Sequence, residues 1–189
     1  MSETHIQTQR PMRADARRNR EKLVGAARDA FAADGTGAPL EDIAQRAGVG
    51  IGTLYRHFPT RQALLEAVYV DEIEAMARSA DALADVEPWD ALTRWLRQYL
   101  TFAGTKRALT EALLETESDE NVLAACRTLL TGAGTRLIER AQGAGVVRAD
   151  TEFGDVARIV SGIAVSPAAD DEQKERMLQI VLDGLRAAR

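Results

Sequence analysis

Between Leu40 and Phe58 the chain reads LEDIAQRAGVGIGTLYRHF, and this stretch gathers hydrogen-bond donors on a low surface of small residues. Thr53, Tyr55 and His57 can each donate to phosphate oxygens or base edges. Arg56 adds a cation. Gly52 presents no Cβ and so keeps the surface low for close approach.

Two short helical patterns would hold these side chains. In the first, Ile43, Ala44 and Ala47 stand at i, i+1 and i+4, one face of a helix. Gly48 then supplies the positive φ that ends the helix in a tight turn. In the second, Ile51, Leu54, Tyr55 and Phe58 recur at i, i+3, i+4 and i+7, which leaves Gly50, Gly52, Thr53, Arg56 and His57 around the other side. Two helices joined by a glycine-containing turn are the helix-turn-helix pattern, whose second helix enters the DNA major groove. The alternative is an ordinary αα-hairpin inside a bundle. That reading leaves the second face unexplained, because a glycine-bearing helix nearly free of Glu, Lys and Ala makes a poor solvated helix.

The residues Ile43-Ala44, Ala47-Gly48-Val49, Gly52-Thr53-Leu54-Tyr55, His57-Phe58 and Arg61 resemble the DNA-binding domain of the TetR family of transcriptional regulators, over about residues 17 to 70. The resemblance implies that Thr53, Tyr55 and His57 touch operator bases and phosphates, and that Arg61 clamps a phosphate. One departure stands at the start of the motif. The family places a Ser or Thr there as a phosphate-contacting cap, whereas this chain has Ala38-Pro39, so that contact is not carried over.

Composition agrees with a helical regulator. The 189 residues are 46% hydrophobic and only 5% aromatic, enough for one or two domains with a sizeable core. The formal charge of −5 divides unevenly: residues 1 to 65 hold ten Lys/Arg against seven Asp/Glu, and the remainder fourteen against twenty-two. A basic module on an acidic body fits DNA binding, although a split of this size also arises by chance. One cysteine, Cys126, excludes an internal disulfide, and two histidines offer little for a metal. No membrane span or signal peptide is recognisable, so a cytoplasmic protein is expected, with no cofactor beyond an unknown small-molecule effector.

Residues 1–14 lack periodicity and are expected to form a disordered arm, followed by a helix-turn-helix domain over 15–70 (motif 39–58) and a helical body over 71–189. Arg17 and Arg18 belong to a basic run from Arg10 to Arg28 that would reach a minor groove or follow phosphates; the alternative is a solvated helix start. Leu23, Ala27, Ala30 and Phe31 line a first helix stopped at Gly35. From Arg61 a long helix runs through Leu64, Leu65, Val68, Tyr69, Ile73 and Met76, beginning in the head and ending in the body. Further stripes mark a helix through Leu92–Ala103 ended by Gly104, a short one over Leu109–Leu114, a long one from Val122 to about Ala141, one from Phe153 to Ala164 with Asp150 or Thr151 as cap, and a last one through Leu185. The fold class is all-α: a three-helix DNA-binding head and a helical body, about nine helices in all.

The family resemblance implies that the body dimerises and binds an effector. A single recognition helix reads too few base pairs, whereas two about 34–36 Å apart read a palindrome. Phe153, Val156, Val160, Leu178, Val181, Leu182 and Leu185 are the expected dimer surface, in a four-helix bundle with a second copy; the alternative is that they complete the core of one chain. Met76, Trp89, Trp95, Tyr99, Phe102, Leu113 and Cys126 are the expected lining of a pocket for a small hydrophobic or amphipathic ligand, against the alternative of plain core. The expected function is therefore a ligand-responsive repressor that binds double-stranded operator DNA as a homodimer. A helical enzyme would need a positioned acid, base or nucleophile that the sequence does not offer. A ligand-binding protein with a vestigial head is the remaining rival, and the intact LYRHF segment argues against it.

Overall fold

The computed structural model describes residues 9–114, 120–167 and 169–187. Among them the chain forms α1 (Gln9–Asp34), α2 (Leu40–Arg46), α3 (Ile51–His57), α4 (Arg61–Asp81), α5 (Pro88–Leu114), α6 (Glu120–Gly143), α7 (Phe153–Ala164) and α8 (Asp171–Leu185). The sole extended pairing among these residues is one antiparallel bridge, Val147 with Arg186, which closes the body's end. No described helix is long and apolar enough to cross a membrane.

The apolar stripes sort into two cores. In the head, Leu23 and Ala27 of α1, Ile43 and Ala44 of α2, Leu54 of α3 and Leu64, Leu65 and Val68 of α4 pack together. In the body, Met76 and Ala80 of α4 join Leu92, Trp95 and Leu96 of α5, Leu137 and Ile138 of α6, and the inner faces of α7 and α8. Helix α4 thus passes from one core into the other, as its stripe suggests. Thr60 starts it, accepting a 3.1 Å hydrogen bond from the Ala63 amide, a cap worth about 1 kcal/mol.

Helix α5 makes the same crossing in reverse. Leu109 and Leu113, at its far end, lie in the head core. The stop expected at Gly104 does not occur, and the two expected segments on either side of it are one helix. A mid-helix glycine costs about 1 kcal/mol, and burying the two leucines in the head offsets more than that. A Cβ at Gly104 would stand 3.5 Å from the Ala164 carbonyl oxygen, an ordinary contact, so the packing of α7 does not demand glycine there.

Other boundaries also move. Of the arm expected over 1–14, residues 1–8 lie outside the described residues, and 9–14 are the first turns of α1. The long helix expected from Val122 starts at Glu120, as α6. Helix α7 takes Glu152 as its N-cap residue without a side-chain bond, so neither Asp150 nor Thr151 caps it. Asp170 caps α8 by accepting from the Gln173 amide at 2.7 Å.

The expected dimer surface is corrected most sharply. Phe153, Val156, Val160, Leu178, Leu182 and Leu185 are all buried within the chain itself, and Val181 packs partly buried against the same core. Both helices present another face outward, carrying Ile159 at 52% exposure and Ile180 at 72%. A stripe marks the side of a helix that must leave water, and here the chain's own α4, α5 and α6 use the stripes first.

Candidate nucleic-acid interface

The α2–α3 corner is built as its glycines require. Gly48 adopts φ +69°, its amide donates to the Gln45 carbonyl at 3.0 Å, and the Val49 amide reaches the Ala44 carbonyl at 3.0 Å. These bonds satisfy the end of α2 and turn the chain. Gly50 then opens α3, and the Thr53 amide donates to its carbonyl at 2.8 Å. Pro39 occupies the cap position of α2 with no side-chain bond, so the hydroxyl missing from the sequence has no substitute there.

Helix α3 is anchored by few residues. Leu54 is 0% exposed and Phe58, just beyond the helix, is 3% exposed. The four-residue stripe expected from spacing is therefore only two residues wide: Ile51 and Tyr55 point outward, at 36% and 46% exposure. Gly52 and Arg56 share that exposed side, with Thr53 and His57 half-buried at its edges. A Cβ at Gly52 would meet nothing within 4 Å. The fold does not require glycine there, which leaves the low surface for something outside the chain. Ile51 is the surface group that spacing misses, because its register matches the buried set. Its place at the very start of a short helix, where little packing can reach it, is the signal that could have found it.

Arg61, expected to clamp a phosphate, opens α4 and is engaged within the chain. Its guanidinium donates to the backbone carbonyls of Thr36 at 3.1 Å and Ala38 at 2.6 Å. These bonds fasten the start of α4 to the α1–α2 connection, so Arg61 positions the corner from inside. Arg17 and Arg18 sit exposed on α1. Arg17 lies 3.6 Å from Glu21, and Arg18 pairs with Asp15. Such exposed i,i+3 and i,i+4 pairs contribute at most about 1 kcal/mol and exchange readily for another anion. Arg20, one turn from Arg17, lies over the Phe58 ring at 5.5 Å, which sets this basic side of α1 beside the end of α3.

The aromatic set expected to line a pocket is packed on itself. Trp95 and Tyr99 stack with centroids 5.6 Å apart, and Phe153 meets both edge-on at 5.6 and 6.1 Å. Phe102 stacks on Tyr99 at 6.2 Å. The Trp95 indole donates to the Met76 carbonyl at 3.1 Å and the Tyr99 hydroxyl meets the Ser161 hydroxyl at 3.0 Å. Both rings' polar groups are thereby satisfied inside the core. Trp89 lies at the body's edge under the Arg186 guanidinium, 3.9 Å from its centroid. Leu113 belongs to the head core. Cys126 is buried, and burial, followed by the nearby Glu74 carboxylate, pushes its thiol pKa up, away from thiolate chemistry. Among the described residues, no group of three or more His, Cys, Asp or Glu side chains could hold a metal ion.

Comparison with known proteins assigns the architecture. Residues 23–68 match the family described as bacterial regulatory proteins, tetR family. Residues 87–187, more than half the chain, match the C-terminal domain described as transcriptional regulator SbtR-like. The chain belongs to the TetR family of transcriptional regulators. Its fold is similar to that of the TetR transcriptional regulator SCO0520 from Streptomyces coelicolor, with a TM-score of 0.78 and 38% identity over 90% of this chain and 99% of that one. The HTH-type transcriptional regulator UidR from Escherichia coli (strain K12) is 25% identical over 183 residues, 93% of each chain. With the HTH-type transcriptional regulator SAR0097 from Staphylococcus aureus (strain MRSA252), identity is 33% over 98 residues, and the chain spans about half that relative's length. This TetR-family chain is a DNA-binding transcriptional regulator and not an enzyme.

Proposed function

We propose that this TetR-family regulator acts in the cytoplasm as a ligand-responsive repressor and that two copies bind a palindromic operator. The observation that carries the reading is the exposed side of α3. Ile51, Gly52, Tyr55 and Arg56 face outward while Leu54 and Phe58 hold the helix to the head. In the major groove, Thr53, Tyr55 and His57 would reach base edges and phosphates, Ile51 would suit a thymine methyl, and Arg17 and Arg18 would follow the adjoining backbone.

Support for the second copy comes from α7 and α8. Ile159 and Ile180 expose large apolar side chains on neighbouring helices. Beside them a shallow cleft of about 300 Å³ is lined by Val181 and Gly184 and flanked by Arg148 and Asp150. An apolar centre with a charged rim is the composition of a protein interface. A gel shift with the DNA flanking the chain's own gene tests the reading. A retarded complex that weakens steeply between about 50 and 200 mM salt is expected, because neutralised phosphates release counterions. A complex indifferent to salt, or none with any flanking duplex, would refute it.

A further inference from the structure

Between the middle of α5 and the start of α8 lies a cavity of about 480 Å³, bounded at one end by Ala164 where α7 stops. It is larger than the cleft on the outer side of α7 and α8, at about 300 Å³, and than the one between α1, α4 and α5, at about 290 Å³. Its volume falls inside the roughly 300–1,000 Å³ range of small-molecule sites. The packed aromatic core contributes nothing to it. The floor is Leu100, Gly104 and Ala164, and the walls carry charges and hydroxyls.

Those polar groups differ in how firmly they are engaged. Arg97 and Glu175 satisfy each other at 2.6 Å. Lys174 is different: its side chain is only 24% exposed, and the carboxylate facing it, Asp171, is wholly exposed and 3.7 Å away. An ammonium whose partner is so exposed and so distant exchanges it for another anion at little cost. The Thr101 and Thr105 hydroxyls donate to helix carbonyls of Arg97 and Thr101, at 3.4 and 3.2 Å. Their oxygens therefore remain acceptors towards the cavity. An anion for Lys174, an apolar body for the floor and a donor for the threonines define the occupant.

We propose that this cavity is the effector site of the regulator and that it takes a small amphipathic carboxylate bearing a hydroxyl or N–H donor. The proposal rests on the ligand-responsive reading above and adds the site and the ligand class to it. The route to the head is α5 itself. Thr105 lines both this cavity and the cleft facing α1. The next residue, Lys106, pairs with Glu72 of α4 at 2.8 Å, with side chains only 13% and 17% exposed. Glu72 in turn lies 3.6 Å from Arg28 of α1. One and two turns further on, Leu109 and Leu113 sit in the head core. A ligand that separates α5 from α8 shifts a rod whose other end is embedded in the DNA-binding head, and it does so to the extent that it binds the shifted state better.

Calorimetry on the full chain with 4-hydroxyphenylacetate and its amide, 4-hydroxyphenylacetamide, tests the assignment. The acid is expected to bind at least about tenfold more tightly than the amide, the effect of one charge-assisted hydrogen bond. Lys174→Gln should erase that preference while leaving melting temperature and ligand-free DNA affinity unchanged. Thr101→Trp, at an exposed position on the wall, should fill the cavity and abolish binding of both compounds. No binding of the acid, equal binding of acid and amide, or an undiminished preference in Lys174→Gln would each overturn the proposal. Failure to bind flanking DNA without any probe would instead refute the repressor reading, and the calorimetry would still decide the ligand site separately.

Discussion

Helices α3 and α7 use their side chains in opposite ways. Helix α3 has seven residues and buries only Leu54 among them. Helix α7 has twelve and buries Phe153, Val156, Val160, Ile163 and Ala164. A helix as short as α3 is unstable alone, so its orientation is imposed by α1, α2 and α4, and its outward side is left without a structural duty. Helix α7 carries the core of the body, and what it leaves outside is a single large apolar residue, Ile159, next to Ile180 of α8. The contrast separates two kinds of surface: one low and carrying hydrogen-bond donors, suited to a charged groove, and one apolar, suited to another protein.

The largest effect expected concerns the body's core. Trp95→Ala should destabilise the chain by about 3–5 kcal/mol, read as a lower midpoint in urea. A cost near zero would mean that the aromatic cluster is looser than its stacking distances imply. Next in size is the outer side of α7 and α8. Replacing Ile159 and Ile180 together by Asp should weaken self-association by about a hundredfold or more, near 3 kcal/mol, while the secondary structure of the single chain persists. Analytical ultracentrifugation would report both species, and an unchanged dimer would move the interface elsewhere.

Gly134→Ala sharpens the same contrast from inside. A Cβ at this position of α6 would overlap the Phe153 ring, so α7 must shift, at a cost of about 1–3 kcal/mol. Thermal melts that show no loss would mean that α6 and α7 are free to separate. The smallest stability effect belongs to α3: Tyr55→Ala should change folding by less than about 0.5 kcal/mol. Its affinity for a specific duplex should nonetheless fall about tenfold, the loss of one hydrogen bond to a charged group. Fluorescence anisotropy alongside denaturation distinguishes the two quantities.

Legibility in the sequence follows the range of the interactions. The α2–α3 corner is readable because its determinants are local: Gly48 for a positive φ, Gly50 for the helix start, and Leu54 and Phe58 four residues apart. The crossing of α4 from head to body is likewise visible in an unbroken stripe. What cannot be read is which partner covers a stripe. Leu113 is apolar and helical whether it lines a pocket or plugs the head, and only the continuity of α5 through Gly104 decides for the head. The stripes of α7 and α8 are apolar as their spacing says, yet the chain's own core takes them, while Ile159 and Ile180, off the stripe, carry the exposed surface. Arg61 shows the same limit for charge, since a cation beside a motif can serve backbone carbonyls as well as phosphate. The cavity beside Lys174 brings together α5, α7 and α8, with Arg97 and Glu175 meeting across 78 residues of sequence, and no local pattern announces it.

The most direct test of the central claim is a hydroxyl-radical footprint of the full chain on its flanking DNA, compared with Tyr55→Ala at equal folded concentration. Protection of two backbone stretches on one face of the duplex, centred about one helical turn apart and lost together in the variant, is the result expected if paired α3 helices enter successive major grooves. A single protected stretch, or a paired footprint that Tyr55→Ala leaves intact, would contradict it.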